Sequence, residues 1–187
     1  MDQLEIALFQ YDIIWEQKQA NLNQILEWVK ELPKKTDLIV LPEMFSTGFT
    51  MNPQPFAEGR DGFIIKRLHQ WSEEFGFAFC GSMITKVNKQ YKNAMFLLED
   101  QQEVQWYEKK HLFSYGGESS SYTAGTERTC FEFKNWRIFP FICYDLRFPV
   151  WMRNDQDIDL YIGVANWPHQ RVDAWSQLLR ARAIENQ

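Results

Sequence analysis

The hydrophobic pattern alternates between short apolar runs and longer amphipathic ones. Leu4 to Phe9 is rich in apolar and branched residues and reads as a strand. Leu22, Ile25, Leu26 and Val29 recur at helical spacing and predict a first helix. Asp37 to Leu41 is almost wholly apolar and ends at Pro42, as suits a strand buried on both faces. Asp61 is a candidate N-cap for a second helix, whose inner face carries Ile64, Leu68, Trp71 and Phe75. A strand from Phe77 to Met83 follows. Tyr91–Leu98 with Glu103–Tyr107 reads as one hairpin, and Thr129–Phe133 with Trp136–Ile142 as a second, turning at Lys134-Asn135. Pro149 is placed to open a helix. Ile158–Val164 reads as another buried strand, and Val172, Trp175 and Leu179 mark a last helix. Strands interleaved with helices and hairpins predict an α/β chain with mixed sheet pairing.

Composition narrows the class. The 187 residues are 45% hydrophobic, with 15 Phe and 8 Trp, which favours one domain over 1–187 with a large-ringed core. A net charge of −5 without a Lys/Arg cluster speaks against a nucleic-acid partner. The acidic N-terminus lacks the pattern of a signal peptide, and the apolar runs are too short to cross a bilayer, so no membrane partner is expected. Three cysteines, Cys80, Cys130 and Cys143, have no Cys-x-x-Cys spacing and fit reduced thiols in the cytoplasm. His69 and His169 show no metal-ligand spacing, and no metal is expected.

Candidate chemistry sits where predicted strands end. Taken singly, Glu43 could face solvent, Lys109 could guard a strand edge, and Cys143 could be a small core residue. Together they form a coherent set. A thiol with a pKa of about 8.5 needs a base, which Glu43 supplies, while a cation such as Lys109 holds a developing oxyanion. The Gly- and Ser-rich stretch from Ser114 to Thr126 has the look of a functional loop. His111, beside Lys109, is expected to make a structural hydrogen bond.

The segments Leu41-Pro42-Glu43-Met44-Phe45-Ser46-Thr47-Gly48-Phe49, Tyr107-Glu108-Lys109-Lys110-His111-Leu112-Phe113 and Ile142-Cys143-Tyr144-Asp145-Leu146-Arg147-Phe148-Pro149 resemble the three signature motifs of the nitrilase superfamily of carbon–nitrogen hydrolases. Ala165-Asn166-Trp167-Pro168 and Ala181-Arg182-Ala183-Ile184-Glu185-Asn186 are similar to two further family segments. Met44 to Phe49, Gly117-Glu118 and Ala165 to Pro168 look most like the omega-amidase branch, which deaminates short oxo-acid monoamides such as 2-oxoglutaramate.

The resemblance implies an α-β-β-α sandwich with mixed sheets and a cofactor-free cycle. It puts Cys143 as nucleophile, Glu43 as base, and Lys109 (not Lys110) with the Tyr144 backbone N–H around the oxyanion. It makes Glu118 the second glutamate, and Phe45, Asn166 and Trp167 substrate contacts. It also implies a homodimer, with Phe148, Trp151 and Trp175 as candidate contacts. Family members continue with further strands, so an incomplete, C-terminally shortened domain is expected here. The competing readings are another aliphatic amide, a carbamoyl amine or a nitrile as substrate, or a catalytically inert member.

Overall fold

The computed structural model describes residues 3–187. Five strands form the first sheet: β1 (Ile6–Leu8), β2 (Leu38–Val40), β3 (Ala78–Val87), β4 (Gln90–Leu98) and β5 (Gln105–Glu108). They lie in chain order, parallel from β1 to β3 and antiparallel from β3 to β5. Three more strands make the second sheet: β6 (Phe131–Phe133), β7 (Trp136–Ile142) and β8 (Leu160–Val164). The β6–β7 pair is antiparallel and the β7–β8 pair parallel. Four helices complete the order: α1 (Lys18–Lys30), α2 (Phe63–Phe75), α3 (Glu118–Ser121) and α4 (Val172–Asn186).

Period-two alternation sorts the strand side chains into layers. Leu38 and Val40 point to the second sheet and meet Phe131, Ile138, Ile142 and Val164. Ile39 and Leu41 point the other way, into a core shared with Leu22, Ile25 and Val29 of α1 and Leu68 and Trp71 of α2. On the far side of the second sheet, Phe139 and Phe141 pack with Leu146, Met152 and Trp175 of α4. The result is the α-β-β-α sandwich with mixed sheets.

Four local expectations change. Asp61 does not cap α2: Gly62 holds the N-cap position, and the Glu58 carboxylate accepts the Ile64 N–H at 2.8 Å. Pro149 opens only a turn, closed by Met152 N–H to the Pro149 carbonyl at 3.1 Å, and no helix follows. The strand predicted from Phe77 to Met83 runs on to Val87 and turns through Asn88-Lys89 into β4, a hairpin absent from the pattern reading. β8 is an edge strand, with only Ile162 and Val164 of its five residues buried.

The sheet directions decide where the site falls. β5 runs antiparallel to β4, which runs antiparallel to β3, so the carboxyl ends of β2 and β5 share one edge. Glu43 and Lys109 follow those two ends, and Cys143 follows β7 in the facing sheet.

Candidate active site

Lys109, one residue past β5, is 1% exposed, and its Nζ donates to Glu43 Oε1 at 2.8 Å and to Glu118 Oε1 and Oε2 at 3.0 and 2.9 Å. Both carboxylates are fully buried. Glu118 opens α3 and also accepts the Phe113 N–H at 2.6 Å, which folds the Gly- and Ser-rich loop over the cluster. The remaining Glu43 oxygen, Oε2, accepts the Asn166 N–H at 2.7 Å. Ammonium has three N–H groups. One serves Glu43 and one spans the two oxygens of Glu118, so a third is left for a developing oxyanion.

Cys143 starts a short 3-10 helix, Cys143–Arg147, with φ of +48°. Met44, directly after Glu43, has φ of +44°. Non-glycine residues held in this region cost on the order of 1–3 kcal/mol each, and such strain gathers at functional sites. Asp145 braces the cysteine turn. It is fully buried and accepts Ile142 N–H (3.0 Å) and Tyr107 O–H (2.7 Å) on Oδ2. His111 N–H (2.8 Å) and His111 Nδ1 (2.9 Å) bond to Oδ1. The bond expected of His111 is thereby located. It ties the cysteine turn to the stretch that carries Lys109.

Electrostatics follow from burial. Burial and the Glu43 charge push the Cys143 thiol well above its ordinary value, and the nearby Lys109 offsets only part of this; a hydrogen bond with Glu43 acts in the same upward direction. Desolvation alone would lower Lys109, but the Glu43 and Glu118 charges raise it above the ordinary lysine value. Burial raises Glu118, partly offset by Lys109. Two carboxylates and one ammonium leave no excess positive charge for a resting thiolate. A thiol in such surroundings needs a neighbouring base before it can serve as a nucleophile.

Glu43, Lys109, Glu118 and Cys143 therefore come together. Tyr144 is the second residue of the cysteine turn, where backbone N–H groups have no intrahelical partner. Phe45 lies elsewhere: it is 0% exposed in the α-facing core, edge-on to Phe96 at 6.1 Å, so its ring packs the interior. Asn166 spends its backbone N–H and its side-chain amide on Glu43. Trp167 is half-buried against the core between the sheets, under the Arg147 guanidinium and bonded through Nε1 to the Arg171 carbonyl at 2.7 Å. Asn93, Ser82 and Tyr107 were given no role from the sequence, Tyr107 standing there only as part of a motif. Asn93 Nδ2 donates to Glu43 Oε1 at 2.8 Å and to Glu118 Oε1 at 3.2 Å. No local signal marks it, because it faces the cluster only through strand pairing. Among the described residues, no group of three or more His, Cys, Asp or Glu could hold a metal ion, and no helix is long and apolar enough to cross a membrane.

Two facing sheets thus hold one buried cluster of two carboxylates, an amine and a thiol. The carbon-nitrogen hydrolase family model matches residues 5–187, and the chain belongs to that family, whose members hydrolyse carbon–nitrogen bonds. The omega-amidase YafV of Yersinia enterocolitica is 43% identical over 187 residues, covering 100% of this chain and 72% of that protein. The 2-oxoglutaramate amidase of Bacillus subtilis is 31% identical, over 97% of this chain and 72% of its own length. The crystal structure of XC1258 from Xanthomonas campestris, a CN-hydrolase superfamily protein with an arsenic adduct in its active site, superposes with a TM-score of 0.94. It is 39% identical and covers 100% of this chain and 73% of that one.

Proposed function

We propose that this protein is an omega-amidase, which hydrolyses the terminal amide of a short oxo-dicarboxylate monoamide such as 2-oxoglutaramate to the acid and ammonia. The observation that carries the chemistry is the closed set of bonds joining Glu43, Lys109 and Glu118 beside Cys143. The substrate class rests on the omega-amidase and 2-oxoglutaramate amidase relatives.

In the proposed cycle Glu43 takes the Cys143 proton as Sγ attacks the amide carbon. Lys109 and the Tyr144 N–H hold the oxyanion. Glu43 then passes its proton to the amide nitrogen, the C–N bond breaks, and ammonia leaves a thioester. Glu43 next deprotonates water, whose oxygen attacks the thioester carbon. The C–S bond breaks, the proton returns to Sγ, and the carboxylic acid departs. Glu118 holds Lys109 in place and balances its charge. No step calls on a cofactor.

Residues 1–187 belong to a single carbon–nitrogen hydrolase domain. It acts in the cytoplasm, where its three free cysteines stay reduced. It pairs as a homodimer through the turn from Phe148 to Met152. Phe148 and Trp151 lean inward there, against His111, and Trp175 packs on Phe141 and Trp167, so the outward apolar group is Val150, 76% exposed.

Steady-state assays on 2-oxoglutaramate, glutamine, a carbamoyl amino acid and an aliphatic nitrile test the substrate class. The highest kcat/KM is expected on 2-oxoglutaramate. A preference for the carbamoyl compound or the nitrile would replace the omega-amidase reading while keeping the thiol chemistry, and no turnover of any of them would favour an inert member.

A further inference from the structure

The β3–β4 hairpin carries a chain of polar groups that ends on both candidate carboxylates. The Met44 N–H donates to Ser82 Oγ at 2.9 Å, and Ser82 Oγ lies 2.9 Å from Asn93 Oδ1. A backbone N–H can only donate, so Ser82 Oγ accepts there and its own proton goes to Asn93. The Asn93 atom that receives it is therefore the carbonyl oxygen. That fixes the amide orientation and turns Nδ2, with its two protons, toward Glu43 Oε1 (2.8 Å) and Glu118 Oε1 (3.2 Å). Ser82 is fully buried and Asn93 is 1% exposed, so water does not compete for these bonds.

We propose that Ser82 and Asn93 are positioning residues: Ser82 fixes the Asn93 amide, which presents one N–H to Glu43 and one to Glu118 and so holds each carboxylate on a hydrogen bond of its own. The two glutamates converge on one lysine, and like charges at such range tend to share a proton. The amide nitrogen only donates, so each carboxylate keeps a hydrogen bond of its own from Asn93 in place of a shared proton. Glu43 is thereby left free to accept the Cys143 proton. The strained Met44 backbone enters the same circuit, because its N–H anchors Ser82 one residue from Glu43. The groups facing the pair are Lys109, Cys143 and the hydroxyl of Tyr122, which the same two carboxylates push upward in pKa after burial itself. The inference rests on Glu43 acting as the base.

Asn93→Asp tests it. The substitution keeps shape and the Ser82 bond but replaces the donor with a third acceptor. On 2-oxoglutaramate, kcat should fall roughly 10- to 100-fold, as loss of hydrogen bonds to charged groups does, with KM changed less than about threefold. The acidic limb of kcat/KM should move up by about one pH unit or more, because donated bonds favour the ionised carboxylates. Ser82→Ala, a smaller change that frees the amide to rotate, should move the limb the same way by less. A role confined to packing would lower the melting temperature and leave the limb in place. If both variants are folded by circular dichroism and keep the parental limb and kcat, the inference is overturned. Glu43→Gln separates this from the underlying reading. An inactive Glu43→Gln enzyme beside an unaffected Asn93→Asp enzyme sinks only the positioning role, whereas an active Glu43→Gln enzyme sinks both.

Discussion

Cys143 rests as a thiol, and this has a consequence for stability. Its folded-state pKa is raised by burial first and the Glu43 charge second, and that of Cys80 is raised by burial. In the unfolded chain both ionise above about pH 8.5. The folded state keeps its protons there and the unfolded state loses them, so stability holds below that pH and falls as pH rises. Each group contributes a slope of up to about 1.4 kcal/mol per pH unit. Urea titrations between pH 8 and 10 should show a shallower decline for Cys143→Ser than for the parent; an unchanged slope would contradict the buried thiol. The two adjacent lysines should differ sharply. Lys109→Ala removes the counter-ion of two buried carboxylates and should cost on the order of hundreds-fold in rate. Lys110 lies over the Trp151 ring at 5.5 Å with no ion pair among the described residues, and Lys110→Ala should be mild in the same assay. Equal losses would mean the wrong lysine is assigned. At this scale the sequence was most legible at Glu43, Lys109, Cys143 and Glu118, each inside a short motif. Asp145 lies in such a motif too, but its partners Tyr107 and His111 are 38 and 34 residues away, so its brace cannot be read locally.

Turn chemistry explains what was legible among the elements. The β6–β7 turn at Lys134-Asn135 has φ of +46° and +66°, as the pattern led us to expect of a two-residue hairpin. The β3–β4 turn is of the same kind, with φ of +48° at Asn88 and +68° at Lys89, yet it lacks glycine and sits in a polar stretch that reads as a gap. Lys89 carries the left-handed strain that glycine would avoid. Lys89→Gly should therefore raise unfolding free energy by up to about 1 kcal/mol, read from the urea midpoint, while a fall would show that the turn is not strained. The start of α2 was misread for a tertiary reason. Glu58 pairs with Thr85 of β3 through a backbone bridge, and this brings its carboxylate to the first turn of the helix, where Asp61 would otherwise compete.

On the scale of the molecule, the two sheets and their covering helices follow the alternation of apolar residues, but the ends of the sheets do not. β1 and β8 are the outer strands of their sheets, and with α4 they frame an apolar groove of about 1120 Å³ lined by Leu8, Val40, Ile162 and Trp175 among others. Leu8, in that lining, is 73% exposed. Contiguous apolar surface of this kind is uncommon on soluble monomers. The 187-residue chain should bind a hydrophobic dye and associate with itself in sedimentation. Leu8→Lys should reduce the dye signal, and a dye-silent monomer would show that the groove is closed in solution. The periodic pattern could not reveal the groove, because β1 and β8 have the same apolar character as covered strands.

The proposed cycle turns on one bond, the thioester between substrate carbonyl and Cys143 Sγ. Rapid acid quench during turnover of 2-oxoglutaramate, followed by peptide mass spectrometry, observes it directly. An acyl adduct on the Cys143 peptide that appears with ammonia release and decays to free thiol as substrate runs out is the expected result. Sustained turnover with Cys143 unmodified throughout, or with the adduct on Cys80 or Cys130, would contradict it.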